Sequence, residues 1–175
     1  YAFRKSTATQ DSLRNNIFVN ERTGGTGKNY AVTTTAATAA AVNSNYNLLY
    51  TPNANGVPFG AGALGIPTVD YTLATWNTTT IGQDANSLVG TPNFVSATST
   101  VPDLHLQSPT AAEAAGIAIS YINDDFDGDD RSLNTPTDIG ADAGQFLPQD
   151  ILPPSISYTA YTNACNDMPY TVSAT

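Results

Sequence analysis

Apolar positions in the first third of the chain recur every second residue. In Ser12–Asn20 they fall at Leu13, Ile17 and Val19, with Asn15 breaking the alternation. That is the period of a strand with one polar inward position. Gly24-Gly25-Thr26-Gly27 then turns the chain, and Tyr30–Thr35 reads as a second short strand. Ser44–Tyr50 reads as a third, with Tyr46, Leu48 and Tyr50 on one face. Residues 51–68 hold Pro52, Pro58, Pro67 and several Gly and Asn, which predicts a long loop. Around Trp76, Thr72–Trp76 suits one or two helical turns.

Downstream the pattern thins. Leu88–Val95 predicts a loop leading into a short strand, and Leu104-His105-Leu106 a strand fragment. Pro109–Gly116 has a helix start, with Thr110 as cap and Glu113 three residues on, and Gly116 as a stop. It predicts a turn or two of helix. Residues 147–154 contain three prolines and read as a stiff linker. Ser155–Tyr161 alternates again, as the first strand of a further β-domain.

Composition sharpens this to a β-rich chain. There are 25 Thr, 16 Asn and 12 Ser, against two Lys and two Glu. Surface-helix formers other than Ala are nearly absent, which excludes a helical bundle or coiled coil. No apolar run reaches the length of a membrane span. The net charge is −9, and residues 103–175 carry eleven acidic side chains but one basic one, Arg131. Such a surface repels phosphate backbones, so nucleic acid is excluded as a partner. It suits divalent cations or a solvated extracellular face. The chain opens on Tyr1, which reads as a piece of something longer. Cys165 is the only cysteine, so it is either a buried thiol or pairs with a residue beyond Thr175.

Asp124-Asp125-Phe126-Asp127-Gly128-Asp129-Asp130 is the densest carboxylate cluster. Alternate carboxylates around a glycine suit a hard cation, so Asp125, Asp127 and Asp129 are candidate calcium ligands. The alternative is an ion-paired loop in which Arg131 meets a carboxylate such as Asp138. His105 is the only histidine, so a multi-histidine metal site is excluded within these residues. A lone strand histidine reads first as a structural residue. Gly24–Lys28 is glycine-rich, but its spacing is not that of a phosphate loop. Asn77-Thr78-Thr79 is a glycosylation sequon, and Asp11-Ser12-Leu13 fits an O-glycosylation pattern at Ser12.

Two groups of residues resemble a known family. Asn15-Asn16-Ile17-Phe18-Val19-Asn20 and Ser44-Asn45-Tyr46-Asn47-Leu48-Leu49-Tyr50 resemble corner strands of right-handed parallel β-helices. The ordered string Asn86–Val95, Asp103–Pro109, Asp125–Arg131 and Asp138–Asp142 resembles the closing segment of secreted, pectate-lyase-like β-helix proteins of Bacteroidota. Thr91, where the family carries an acidic residue, and Ala143–Phe146 depart from that pattern. The resemblance implies an all-β, right-handed parallel β-helix over 1–146, with stacked Ile17, Phe18 or Val19, Tyr46 and Leu48. A linker at 147–154 and the start of a β-sandwich-like module at 155–175 would follow. It also implies that loop 124–130 and segment 141–147 lie across the end of the stack, with a last strand at Asp138–Ala141 and Phe146 or Leu147 as plug.

Functionally, it implies a non-catalytic structural or adhesive segment of a large, type IX-secreted cell-surface protein. Partners would be the rest of its own polypeptide, surface polysaccharide or other surface proteins. The alternative is the end of a polysaccharide lyase or glycoside hydrolase whose active coils precede Tyr1. Lyase chemistry needs a basic residue, and none lies between Lys28 and Arg131. Only Arg14, Arg22 and Lys28 could serve it, with help from upstream coils.

Overall fold

A computed structural model describes residues 1–146, except residues 8, 37–39, 79–81 and 135. The expected linker at 147–154, the module at 155–175 and Cys165 lie outside the described residues. The regular structure of the described chain is mostly strand, with one short α-helix and two single 3-10 turns, and no helix in it is long and apolar enough to cross a membrane.

The strands fall into three columns. The first joins β1 (Phe3–Arg4), β4 (Asn29–Thr34) and β7 (Gly56–Ala61), all parallel, with Phe3 level with Val32 and Val32 with Phe59. In the second, β2 (Asp11–Arg14) and β5 (Val42–Asn45) pair in parallel. The third joins β3 (Ile17–Val19), β6 (Leu48–Tyr50) and β9 (Leu88–Val89), again parallel, with Ile17 level with Leu48 and Leu48 with Leu88. Two pairings depart from this pattern. β8 (Val69–Tyr71) adds antiparallel to β7, and β10 (Phe94–Ser96) and β11 (Asp103–Leu106) form their own antiparallel pair. The sheets stay separate, so the described strands do not make the closed parallel β-helix that the resemblance implies.

Polar corners separate the second column from the third. Asn15 and Tyr46 occupy the left-handed region, at φ 54° and 56°. Asparagine tolerates that conformation and tyrosine does so rarely. Tyr46 is therefore a corner residue and not the inward strand position its spacing suggests. The next residue at each corner forms a vertical chain. The Asn16 backbone N–H donates to Asn47 Oδ1 (2.9 Å), and the Asn47 N–H donates to Ser87 Oγ (2.9 Å). These side chains take up backbone donors where the strands are interrupted.

The core lies on both faces of the third column. Leu49 packs on one face with Leu13, Ala31, Val32, Val42, Phe59 and Trp76, and Phe18 leans on this cluster. Leu48 faces the other way, into a second cluster with Leu106, Ala112 and Ile139, flanked by Ile17 and Phe146. Trp76 reaches the first cluster from α1 (Leu73–Thr78). Thr72 and Thr75 cap that helix reciprocally, each hydroxyl accepting the other's backbone N–H. The Trp76 ring stacks on Phe59 at 4.6 Å and meets Tyr71 edge-on.

Several other expectations change. Residues 51–68 are not all loop. β7 runs through them despite Pro58, because the glycines admit close neighbours: a Cβ on Gly60 would lie 2.7 Å from Pro67 and Tyr30. Residues 111–114 turn without forming a helix, and 138–141 form no strand. Segment 90–146 does not cap the stack. It covers the outer face of the third column, where Gly140 donates its N–H to the Asn15 carbonyl and Phe146 joins the Leu48 cluster.

Candidate functional site

The covering segment is held by carboxylates that accept backbone N–H groups in place of a neighbouring strand. Asp138, fully buried, accepts from Ala114 (2.7 Å) and Gly144 (2.9 Å). Asp142 accepts from Leu106 (2.6 Å), and Glu113 from Phe146 (2.8 Å). Asp125 Oδ1 accepts from Asp127 and Asp129 (both 2.9 Å), and Oδ2 from Ala143 (3.2 Å). Burial alone would push the Asp125 carboxyl up. The N–H groups of Asp129, Ala143, Asp127 and Gly128 outweigh it and hold the group below its ordinary value. Arg131 does not meet Asp138. Its guanidinium donates to the Gly140 carbonyl (2.7 Å) and the Asp124 carbonyl (3.3 Å).

Of the candidate calcium ligands, the fold brings Asp125 and Asp127 together with Asp142, with one oxygen of each within 4.8 Å of the others. Asp129 stays outside that group: its carbonyl accepts the Asp125 N–H, and its own N–H donates to Asp125 Oδ1. Asp142 is the ligand that spacing could not supply. Three carboxylates suit a hard cation in part, since calcium takes six to eight oxygens. The nearest competitor for them is internal. His105 Nε2 lies 2.8 Å from Asp127 Oδ2, while Nδ1 lies 2.5 Å from Asp103 Oδ1. The hydrogen bonds to Asp103 and Asp127, with their charge, push the His105 pKa up to about 9. In turn, the bond from His105 holds Asp103 below its ordinary value. The imidazolium is therefore a clip that ties β11 to the acidic loop, with the Phe126 ring edge-on beside it.

Two further carboxylates stand far from the acidic cluster in sequence. Asp84 is 1% exposed and is a hub between the columns. Its Oδ1 accepts from Ser44 (2.8 Å) and Ser87 (2.6 Å), and its Oδ2 accepts the Trp76 indole N–H (2.9 Å). Asp70 pairs with Lys28 and accepts the Tyr30 hydroxyl (2.7 Å). Lys28 and then Tyr30 hold Asp70 low, while burial and Asp70 push the Tyr30 hydroxyl up. Of the basic residues that lyase chemistry could have used, Lys28 is thus engaged, and Arg14 donates to Asn43 (3.0 Å). Ser12 is exposed on β2. Asn77 is half-buried and its amide donates to the Gln83 carbonyl (3.2 Å), while Thr79 of its sequon lies outside the described residues.

A groove of about 950 Å³ runs between the Asn15 and Tyr46 corners and an arch formed by residues 116–141. Asn15 clamps the foot of the arch. Its Oδ1 accepts the Ile117 N–H (2.9 Å) and its Nδ2 donates to the Ile117 carbonyl (2.7 Å).

No family model matches this chain. No curated protein and no solved structure matches it either.

Proposed function

We propose that the three columns are the faces of an open, right-handed parallel β-helical stack, and that the chain is a non-catalytic structural and adhesive segment of an extracellular surface protein. The observation that carries this is the register. Phe3, Val32 and Phe59 stand level in one column, and Ile17, Leu48 and Leu88 in another, each pair in parallel. A stack of that kind buries continuous apolar rows, extends by repetition and offers long lateral surfaces to partners. The polar side chains support the same reading. The buried Asp84 and Asp138 serve neighbouring donors, and His105 is held between two carboxylates instead of standing beside a nucleophile. Bacteroidota origin, type IX export and calcium at the Asp125 loop belong to this proposal as well.

The test is removal of residues 1–146 from the parent gene with surface display monitored by antibody. Attachment to solid surfaces is expected to fall while display persists. Unchanged attachment with normal display overturns the adhesive reading. Incubation of the chain with acidic and neutral polysaccharides is expected to release no unsaturated uronate and no reducing sugar, and turnover would replace the structural reading with an enzymatic one.

A further inference from the structure

We propose that the groove between the Tyr46 corner and the 116–141 arch is a binding site for a short neutral oligosaccharide. It supplies a ligand for the adhesive reading and rests on that reading for its setting. The volume, about 950 Å³, is at the upper end of the range for clefts that hold small ligands. Its apolar surface comes from Ile117, Ile119 and Ile122, with the Tyr46 and Phe126 rings at its sides. The C–H face of a pyranose packs against such surface, while its hydroxyls need mixed donors and acceptors.

Those groups are present. Among the described residues, the side chains of Tyr46, Ser120, Asn123 and Asp124 line the groove and have no protein hydrogen-bond partner. Together they offer two hydroxyls, an amide and a carboxylate, a set that both donates and accepts. Elsewhere in this segment most carboxylates are occupied by backbone N–H groups, whereas the Asp124 carboxylate is open at the groove.

Charge decides against other ligands. Arg14 and Arg131 share the lining with Asp124, Asp125 and Asp130, so the groove favours neither a strong anion nor a strong cation. A peptide docking by strand addition needs a free strand edge. Apart from Arg14 on β2, the isolated Asp124–Asp130 bridge and a single 3-10 turn at Arg131–Leu133, corners, turns and loop wall this groove.

The test uses the full chain on a printed array of neutral glycans, followed by calorimetric titration with cellotetraose, maltotetraose, xylotetraose and mannotetraose. Two variants accompany it. Tyr46→Gly removes the ring at a left-handed position where glycine is at ease, so the fold is retained. Asp124→Asn removes only the charge of a surface side chain. Saturable binding of at least one neutral glycan is expected, weakened about tenfold or more in each variant with an unchanged melting temperature. An array without signal overturns the proposal. So does binding that both variants retain, or preference for anionic glycans or peptides. Glycan binding without any effect of the deletion on cell attachment would sink the adhesive reading and leave the site standing. Attachment that depends on the chain without glycan binding would do the reverse.

Discussion

Residues 1–89 and residues 90–146 solve the same problem by different means. Each must satisfy its backbone and cover one face of the β3–β6–β9 sheet. The first region does so by repetition: parallel strands satisfy one another, and Leu13, Val32, Val42, Leu49 and Phe59 fill the space between columns. The second region has one short antiparallel pair. Its N–H groups are shared between turn and loop carbonyls and side-chain carboxylates, the latter at Asp125, Asp138, Asp142 and Glu113. Only Leu106, Ala112 and Ile139 from this region are buried against Leu48. The acidic composition of 103–146 is therefore largely internal wiring. One region is held by apolar burial, which is nearly independent of pH. The other depends on ionised groups.

The largest test of that contrast is Trp76→Ala. It empties the site against Phe59 and Tyr71 and leaves Asp84 Oδ2 without its indole donor. A loss of about 3–5 kcal/mol is expected from the cavity alone. Chemical denaturation should show both regions failing together, since the wrap has nothing to rest on once the stack opens. Survival of a cooperative transition near the wild-type midpoint would contradict the assignment of Trp76 to the core.

Neighbouring leucines separate the regions. Leu48 and Leu49 are both fully buried, on opposite faces of one strand. Either substitution by Ala should cost about 2–5 kcal/mol. Leu49→Ala should lower global stability. Leu48→Ala should first release segment 90–146, seen as protease cuts within it while hydrogen exchange in β4 and β7 stays protected. Identical protease patterns for the two variants would show that the regions are one cooperative unit.

Much of the stack was legible in the sequence, and its limits have physical causes. Alternation located the strands around Leu13, Ile17, Val32 and Leu48, because a half-buried strand must alternate. It could not foresee that Leu48 and Leu49 would both be buried, since that needs a cover supplied by residues 90–146. β7 was hidden because Pro58, Gly56 and Gly60 carry loop signals, and their fitness for a crowded strand depends on neighbours such as Pro67 and Tyr30. The acidic cluster was legible as a cluster, but its membership was not. Asp129 is close in sequence yet spends its backbone on Asp125, while Asp142 arrives through the fold. Asp84 was unreadable for the same reason: its partner Ser44 lies on β5, about forty residues before its other partner Ser87, just ahead of β9.

A smaller effect is expected at the clamp. Asn15→Gly keeps the left-handed corner open to the backbone but removes both bonds to Ile117. About 1 kcal/mol should be lost per missing hydrogen bond. The change should appear as faster exchange of the 116–119 amides, with the stack unaffected. Slowed or unchanged exchange there would show that the arch is held by something other than Asn15.

The smallest effects come from titration, and they bracket the wrap from both sides. His105 has its pKa raised to about 9, so its clip contributes fully below the unfolded value of 6.5 and is lost as pH rises through about 9. Asp103, Asp125 and Asp130 are held below 3.8, so their contribution is present above that value and lost as pH falls through their folded pKa values. Segment 90–146 should therefore be tightest between these limits and loosen at either end, while the aliphatic stack barely responds. His105→Gln should abolish the alkaline limb alone, because glutamine keeps a neutral donor but cannot titrate. Calcium gives the clip a competitor. Above pH 9 the imidazole is neutral, with one N–H left for two carboxylates and no charge to hold Asp127, so an ion held by Asp125, Asp127 and Asp142 would compete for that ligand more easily. Added calcium should accordingly raise the melting temperature more above pH 9 than at neutral pH, and Asp142→Asn should remove the difference. Melting curves that ignore calcium at both pH values would show the triad to be a set of backbone acceptors and nothing more. An alkaline loosening that persists in His105→Gln would remove the histidine from the account altogether.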